Sequence, residues 1–217
     1  MKPELTTNAL IREADCYAVH LGQTDQPDLY GVTDGKAIGT HVEHGFRAWL
    51  ARNYSYDEGN AASGLDFPGL SVDMKVTSSR HPQSSCPFRS ARQKIYGLGY
   101  SLLIFVYDKT DNDKVQAARL RITNAVFVDA EWTADHQTTR GLRDILDNDG
   151  NADDLVAFLQ DRNLPVDEIG ARDLAEEILE RPPRIGYLTI SNALQWRLQF
   201  ARVLQEAGNI QGIERIR

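Results

Sequence analysis

Long apolar runs are missing from this 217-residue chain. None approaches the roughly 20 consecutive apolar residues that a membrane-crossing helix requires. The first residues, MKPELTTNALIREAD, hold no apolar signal core and carry acids instead. Both absences predict a soluble, cytoplasmic protein. Cysteine is scarce. Cys16 and Cys86 are the only two, and no C-x-x-C pair occurs, which excludes a disulfide scaffold and the common zinc motifs and fits a reducing compartment. Internal repeats, low-complexity tracts and Gly/Ser linkers are absent, so a single domain over residues 1–217 is expected. There is no P-loop, no dinucleotide-binding glycine fingerprint and no G-x-S-x-G elbow. His41-Val42-Glu43 matches the H-x-E half of a zinc-deaminase signature, but the P-C-x-x-C half is missing.

Charge is present in ordinary amount but is unevenly placed. The formal net charge is −7. Residues 1–128 hold 14 acids and 14 bases, residues 129–180 hold 15 and 4, and residues 181–217 hold 2 and 6. Between residues 76 and 107 there are four bases (Arg80, Arg89, Arg92 and Lys94) and no acid. Screening limits the reach of distant charges to about 10 Å at ordinary salt. A locally basic surface can therefore bind phosphate on an acidic chain, and the overall acidity does not exclude a nucleic-acid partner.

Periodicity predicts a helix over residues 7–20, with Leu10, Ile11, Ala14 and Ala18 as its apolar stripe, and a second helix capped by Thr33 or Asp34. The second helix carries Ile38, Val42, Phe46, Trp49 and Leu50 at helical spacing. LSVDMKVTS reads as a strand. QSSCPFRSARQKIYGLG reads as a helix capped by Ser84 or Ser85 and ended by Gly97 or Gly99. YSLLIFVYDK has the continuous apolar character of a strand buried on both faces. AARLRITNAVFVDA is a further strand. Helices are predicted around 135–147, 152–162 and 167–180, a short strand at IGYLTI, and a last helix over ISNALQWRLQFARVLQEAG, ending at Gly208. This order predicts an α/β fold: a central mixed β-sheet flanked by helices over about residues 29–128, then a helical portion over about 135–217.

Chemistry concentrates in GLDFPGLSVDMKVTSS, residues 64–79. Strand alternation places Asp73 and Lys75 on one face, with Asp66 in a turn just upstream. Such a pair is either a solvated edge strand or part of a site for a hard cation. Two carboxylates that converge there suit Mg²⁺, which takes oxygen ligands and keeps several waters. An ion so held polarises a phosphate oxygen and lowers the pKa of a bound water, and the lysine offsets charge in the transition state. Asp34-Gly35-Lys36 repeats the acid-x-Lys pattern, but the glycine and the helix that follows make it a cap.

With Asp66, Asp73 and Lys75 in the spacing D-x6-D-x-K, the segment resembles the PD-(D/E)xK nuclease superfamily, and most closely its type II restriction endonucleases. LYGVTDGKAIGTHVEH and VDMKVTSSRHPQSSCPFRSARQKIYGLGYSLLIFVYDK extend the resemblance over about residues 29–109. Two features depart from the strict pattern. The acid before the lysine is Asp, which the pattern allows. The usual proline is displaced: Leu65 precedes Asp66, and Pro68 follows it.

The resemblance implies a Mg²⁺-dependent, sequence-specific endodeoxyribonuclease that cleaves double-stranded DNA. Asp66, Asp73 and the backbone carbonyl of Met74 would bind the metal, and Lys75 would position the attacking water. Glu43 on the upstream helix is the matching candidate for an additional acid, and is equally readable as a solvated helix residue. DNA contacts are expected from Arg80, Gln83, Ser84, Ser85, Arg89, Arg92, Gln93 and Lys94. A double-strand cut by one site per chain further implies a homodimer, with a cognate DNA methyltransferase as functional companion. Two alternatives carry the same motif: a repair nicking or junction-resolving nuclease, and a non-catalytic DNA-binding module.

Overall fold

The structure is a computed structural model that describes residues 2–57, 59, 64–85, 90–191 and 196–217. In chain order its elements are α1 (Thr7–Gln23), β1 (Asp25–Gln26), α2 (Gly35–Ala51), β2 (Val72–Ser78), β3 (Gln83–Ser85), α3 (Ala91–Tyr96), β4 (Ser101–Asn112), β5 (Ala117–Val128), α4 (His136–Asp147), α5 (Ala152–Asp161), α6 (Glu168–Glu180), β6 (Thr189–Ile190), β7 (Arg197–Gln199), α7 (Ala201–Glu206) and β8 (Ile213–Arg215). The expected α/β class, a central mixed sheet flanked by helices, is observed. The chain divides into two compact units. One holds residues 1–82, 102–128 and 206–217; the other holds residues 83–101 and 129–205.

The first unit is built on a sheet of order β1-β5-β4-β2, with β8 added along β5. β4 and β5 form a long antiparallel hairpin, broken by one bulge where Thr123 faces the Val106/Tyr107 step. The Thr123 hydroxyl donates to the Val106 carbonyl at 3.2 Å, which satisfies the interrupted ladder locally. Leu102 to Val106 are all buried, so no polar/apolar alternation survives along β4.

Helices α1 and α2 pack over this sheet through Leu10, Ala14, Tyr17, Val42, Phe46 and Leu50. Asp34 caps α2 by accepting from the backbone N–H of Lys36 and of Ala37, the role assigned to it from sequence. Phe46 stands edge-on to Phe105 and to Phe67, at 5.4 and 6.3 Å between ring centroids. Phe67 is fully buried and follows Asp66 directly, so this aromatic contact anchors the turn that carries the first acid.

The second unit joins α3 to the helical group α4–α6 around Ile95, Leu142, Leu155, Leu159, Ala175 and Ile178. Beside them stands a small sheet of order β3-β7-β6. Here two expectations change. Residues 83–85 are a strand paired antiparallel with β7, and the helix that follows spans only Ala91–Tyr96 with Ser90 at its N-cap. Residues 86–89 of the expected helix lie outside the described residues. The last helix is likewise shorter, Ala201–Glu206, because Arg197–Gln199 form β7. Leu198 is fully buried between two exposed neighbours, a period-2 pattern that the surrounding apolar residues mask in the sequence. In both places strand pairing supplied by a distant partner overrides local helix preference.

Candidate active site on strand β2

β2 lies at the end of its sheet order, so one side of its backbone is available to the chain that precedes it. Pro68–Leu70 form a short 3₁₀ turn, and Ser71 adopts a left-handed conformation at φ 53°. The chain thereby folds back on itself, and Phe67 and Val72 exchange both backbone hydrogen bonds, at 3.0 and 3.2 Å. This tight reversal is why the two acids are seven residues apart in sequence and adjacent in space. The Asp66 carboxylate then accepts from the Met74 N–H at 2.7 Å through Oδ2. A strand residue directs its N–H and its C=O to the same side. The Met74 carbonyl therefore lies along the same edge as Asp66.

Asp73 and Lys75 share the opposite parity and meet directly, with Lys75 Nζ 2.7 Å from Asp73 Oδ2. The Asp73 side chain is 7% exposed. Burial pushes its carboxyl up to about 6; the Lys75 ammonium opposes this, and the neighbouring Asp66 carboxylate adds to it. Glu43, half-buried on α2, is also raised by burial and by the charge of Asp66, with Lys75, Arg47 and His44 opposing. The charges of Asp66 and Lys75 both act on Glu43. All belong to the first unit.

One participant was not foreseen. Arg47, one helical turn after Glu43 on α2, donates from Nη2 to Asp66 Oδ1. The i,i+4 spacing of Glu43 and Arg47 was legible as a shared helix face, but nothing in the sequence pointed that face at β2.

As a metal site the donor set is hard: two carboxylates and a strand carbonyl, the chemistry that suits Mg²⁺ or Ca²⁺ and not a thiophilic ion. Among the described residues no cluster of three or more His, Cys, Asp and Glu forms a ready-made cage. That is compatible with an ion that retains waters and takes one or two carboxylates. The crowding of Asp66 and Asp73, which raises the proton affinity of Asp73, is a second sign of fit, because a cation relieves it.

The residues expected to contact DNA are less uniform. Arg80 is exposed and lines a cleft of about 840 Å³ with Ser78, His81, Tyr107, Arg119 and Arg121. Gln83, Ser84 and Ser85 form β3, and the Ser84 hydroxyl is buried without a hydrogen-bond partner among the described residues. Arg89 lies outside the described residues. Arg92 is bound to Glu177 of α6 and its guanidinium lies 5.3 Å from the Tyr96 ring centre. Gln93 donates to the Leu98 carbonyl at 3.4 Å. Lys94 is buried, its ammonium 5.2 Å from the Trp196 ring centre. Arg92, one of the four bases between residues 76 and 107, thus pairs with an acid of the acidic segment 129–180.

The α/β sheet carries the acid-x-lysine pair on its outer strand, and the chain belongs to the type II restriction enzymes described as NspV, whose family model matches residues 4–215. It is 61% identical over 209 residues to the type II restriction enzyme NspV of Nostoc sp. (strain ATCC 29411 / PCC 7524), covering 96% of this chain and 95% of that protein. No solved structure matches it.

Proposed function

We infer that the protein is a type II restriction enzyme that hydrolyses phosphodiesters of double-stranded DNA at a specific sequence, with Mg²⁺ as the working ion. The observation that carries this reading is the contact of Lys75 with Asp73, and of the Asp66 carboxylate with the Met74 N–H, on one strand in a chain of this family. Asp66, Asp73 and the Met74 carbonyl would hold the ion. When bound, it supplies Lewis acidity to a phosphate oxygen and an acidified water.

The protein's own contribution is positional and electrostatic. Lys75, held by Asp73, carries a positive charge that orients a water for in-line attack and offsets charge that develops on the phosphate. Glu43 completes the acidic set and, with its raised proton affinity, is suited to take a proton from that water. The buried floor of Val72, Met74 and Phe67 keeps the strand and turn rigid, so the acids are preorganised.

One such site cuts one strand. A double-strand cut therefore calls for two chains on a near-palindromic sequence, and a DNA methyltransferase of matching specificity to protect the host.

Digestion of a fully sequenced plasmid with the protein and Mg²⁺, followed by sequencing of the ends, tests this reading. Double-strand ends at one recurring sequence are expected, and none in EDTA. Nicked circles alone would indicate a nicking enzyme, and intact plasmid under all divalent ions would sink the enzymatic reading.

A further inference from the structure

Arg47 is neither an expected ligand of the ion nor the group that positions the water, yet its guanidinium bonds the Asp66 carboxylate directly. Its backbone is fixed: it sits in the 17-residue helix α2 between the fully buried Phe46 and Leu50, and its carbonyl accepts from the Tyr56 hydroxyl at 3.0 Å. Its guanidinium donates to Asp66 Oδ1 from Nη2, while Asp66 Oδ2 is taken by the Met74 N–H. The guanidinium Nε is buried and has no hydrogen-bond partner among the described residues. Arg47 thus holds one of the two oxygens that a metal would use and retains an unsatisfied donor of its own.

The charge count is informative. Glu43, Asp66 and Asp73 carry three negative charges when ionised, and Arg47 and Lys75 two positive ones, so the group is formally −1. A divalent ion brings it to +1, and the single negative charge of a phosphodiester restores neutrality. With the ion in place, a guanidinium still on Asp66 would be a second cation against the same carboxylate, and the two would repel. A diester phosphate offers the planar guanidinium fork what it lacks: two anionic oxygens in matching geometry, one of them available to Nε.

We propose that Arg47 stands in for the divalent cation at Asp66 in the metal-free enzyme and passes to a non-bridging oxygen of the scissile phosphate once the cation binds. The proposal rests on the reading of Asp66 as a metal ligand. It makes Arg47 a group that couples metal loading to substrate: the ion displaces the guanidinium, and the guanidinium becomes available to the phosphate.

The test is calorimetric titration of the DNA-free protein with Ca²⁺, which reads binding without cleavage. Arg47→Met should bind Ca²⁺ roughly three- to tenfold more tightly than wild type, the span expected on removal of one partly buried charge-pair competitor. Asp66→Asn should lose the site. A merely structural Arg47, one that only braces Asp66, predicts no gain, so unchanged or weakened binding by Arg47→Met overturns the proposal, while loss of binding in Asp66→Asn leaves Asp66 standing as a metal ligand. Ca²⁺ binding unaffected by Asp66→Asn overturns both. Thermal melts check that each variant folds. Should Arg47→Met not fold, a crystal structure of the wild-type protein with Ca²⁺ and an uncut duplex decides the matter. Arg47 on a phosphate oxygen supports the proposal, and Arg47 still on Asp66 ends it.

Discussion

Asp73 is the residue on which function and stability pull apart. Its carboxyl is raised from 3.8 to about 6, chiefly by burial. A raised acid binds its proton more tightly folded than unfolded, so the stability it contributes is fully present below about pH 4 and is lost as pH rises through about 6. The metal-free protein should therefore become less stable from this group across pH 4–6. Ca²⁺ affinity should move the opposite way, falling as the solution is acidified below about 6, because the ion needs the carboxylate. Asp73→Asn should flatten the stability change in that window and raise stability at pH 7.5 by about 1–2 kcal/mol, after allowance for the broken ion pair with Lys75. It should abolish cleavage and leave DNA binding in place. Urea melts at pH 4.5, 6 and 7.5, beside cleavage and gel-shift assays, read all of this. A variant that cuts within a few-fold of wild type removes Asp73 from the site.

At the scale of elements, the turn between Asp66 and β2 governs whether the acids meet. The Phe67–Val72 exchange leaves four residues to reverse the chain, and Ser71 takes up the left-handed step at φ 53°. A non-glycine residue there costs on the order of 1 kcal/mol. Ser71→Gly should recover part of that cost, as a higher melting temperature with activity retained. Insertion of one alanine after Leu70 should shift Asp66 off the Met74 N–H and abolish Ca²⁺ binding while circular dichroism stays native. If the insertion variant binds Ca²⁺ as wild type does, the ion is held without Asp66.

Basic residues need the same element-level view, because their neighbours decide their availability. Arg92 is bound to Glu177 and stacked on Tyr96, and Lys94 is buried, whereas Arg80 is exposed at the rim of a cleft. Arg80→Ala should weaken DNA binding and reduce its salt slope by about one, the share of a single phosphate that Arg80 would neutralise. Arg92→Ala should leave the slope nearly unchanged and should destabilise the fold slightly, since it removes a partly exposed ion pair. Affinity measured across a salt series separates the two, and an unchanged slope for Arg80→Ala would move the DNA to another surface.

For the whole molecule the question is how many chains act together. With one acid-x-lysine site per chain, a double-strand cut made in one encounter is expected from two chains, one on each strand. Sedimentation of the protein on a duplex that carries its site should give a two-chain complex. A mixture of wild type with excess Asp73→Ala should yield nicked circles, because a mixed pair cuts one strand. Linear product from such a mixture at wild-type yield would mean that each chain cuts both strands in turn.

Local signals were enough for much of this. The helical stripe of α1, the Asp34 cap of α2, the alternation in VDMKV and the unbroken apolar run of β4 each depend on near neighbours, and each element stands where its pattern placed it. The pairing of Asp73 with Lys75 was legible for the same reason, since strand geometry puts i and i+2 on one face. What only the tertiary structure decided are pairings between residues far apart in the chain. Residues 83–85 became a strand because Arg197–Gln199 lie beside them, more than a hundred positions on. Arg92 was claimed by Glu177, and Arg47 by Asp66. Charge runs and periodicities hold no information about such partners, because a hydrogen bond or ion pair between distant residues is set by the packing that brings their backbones together and not by the composition of either segment.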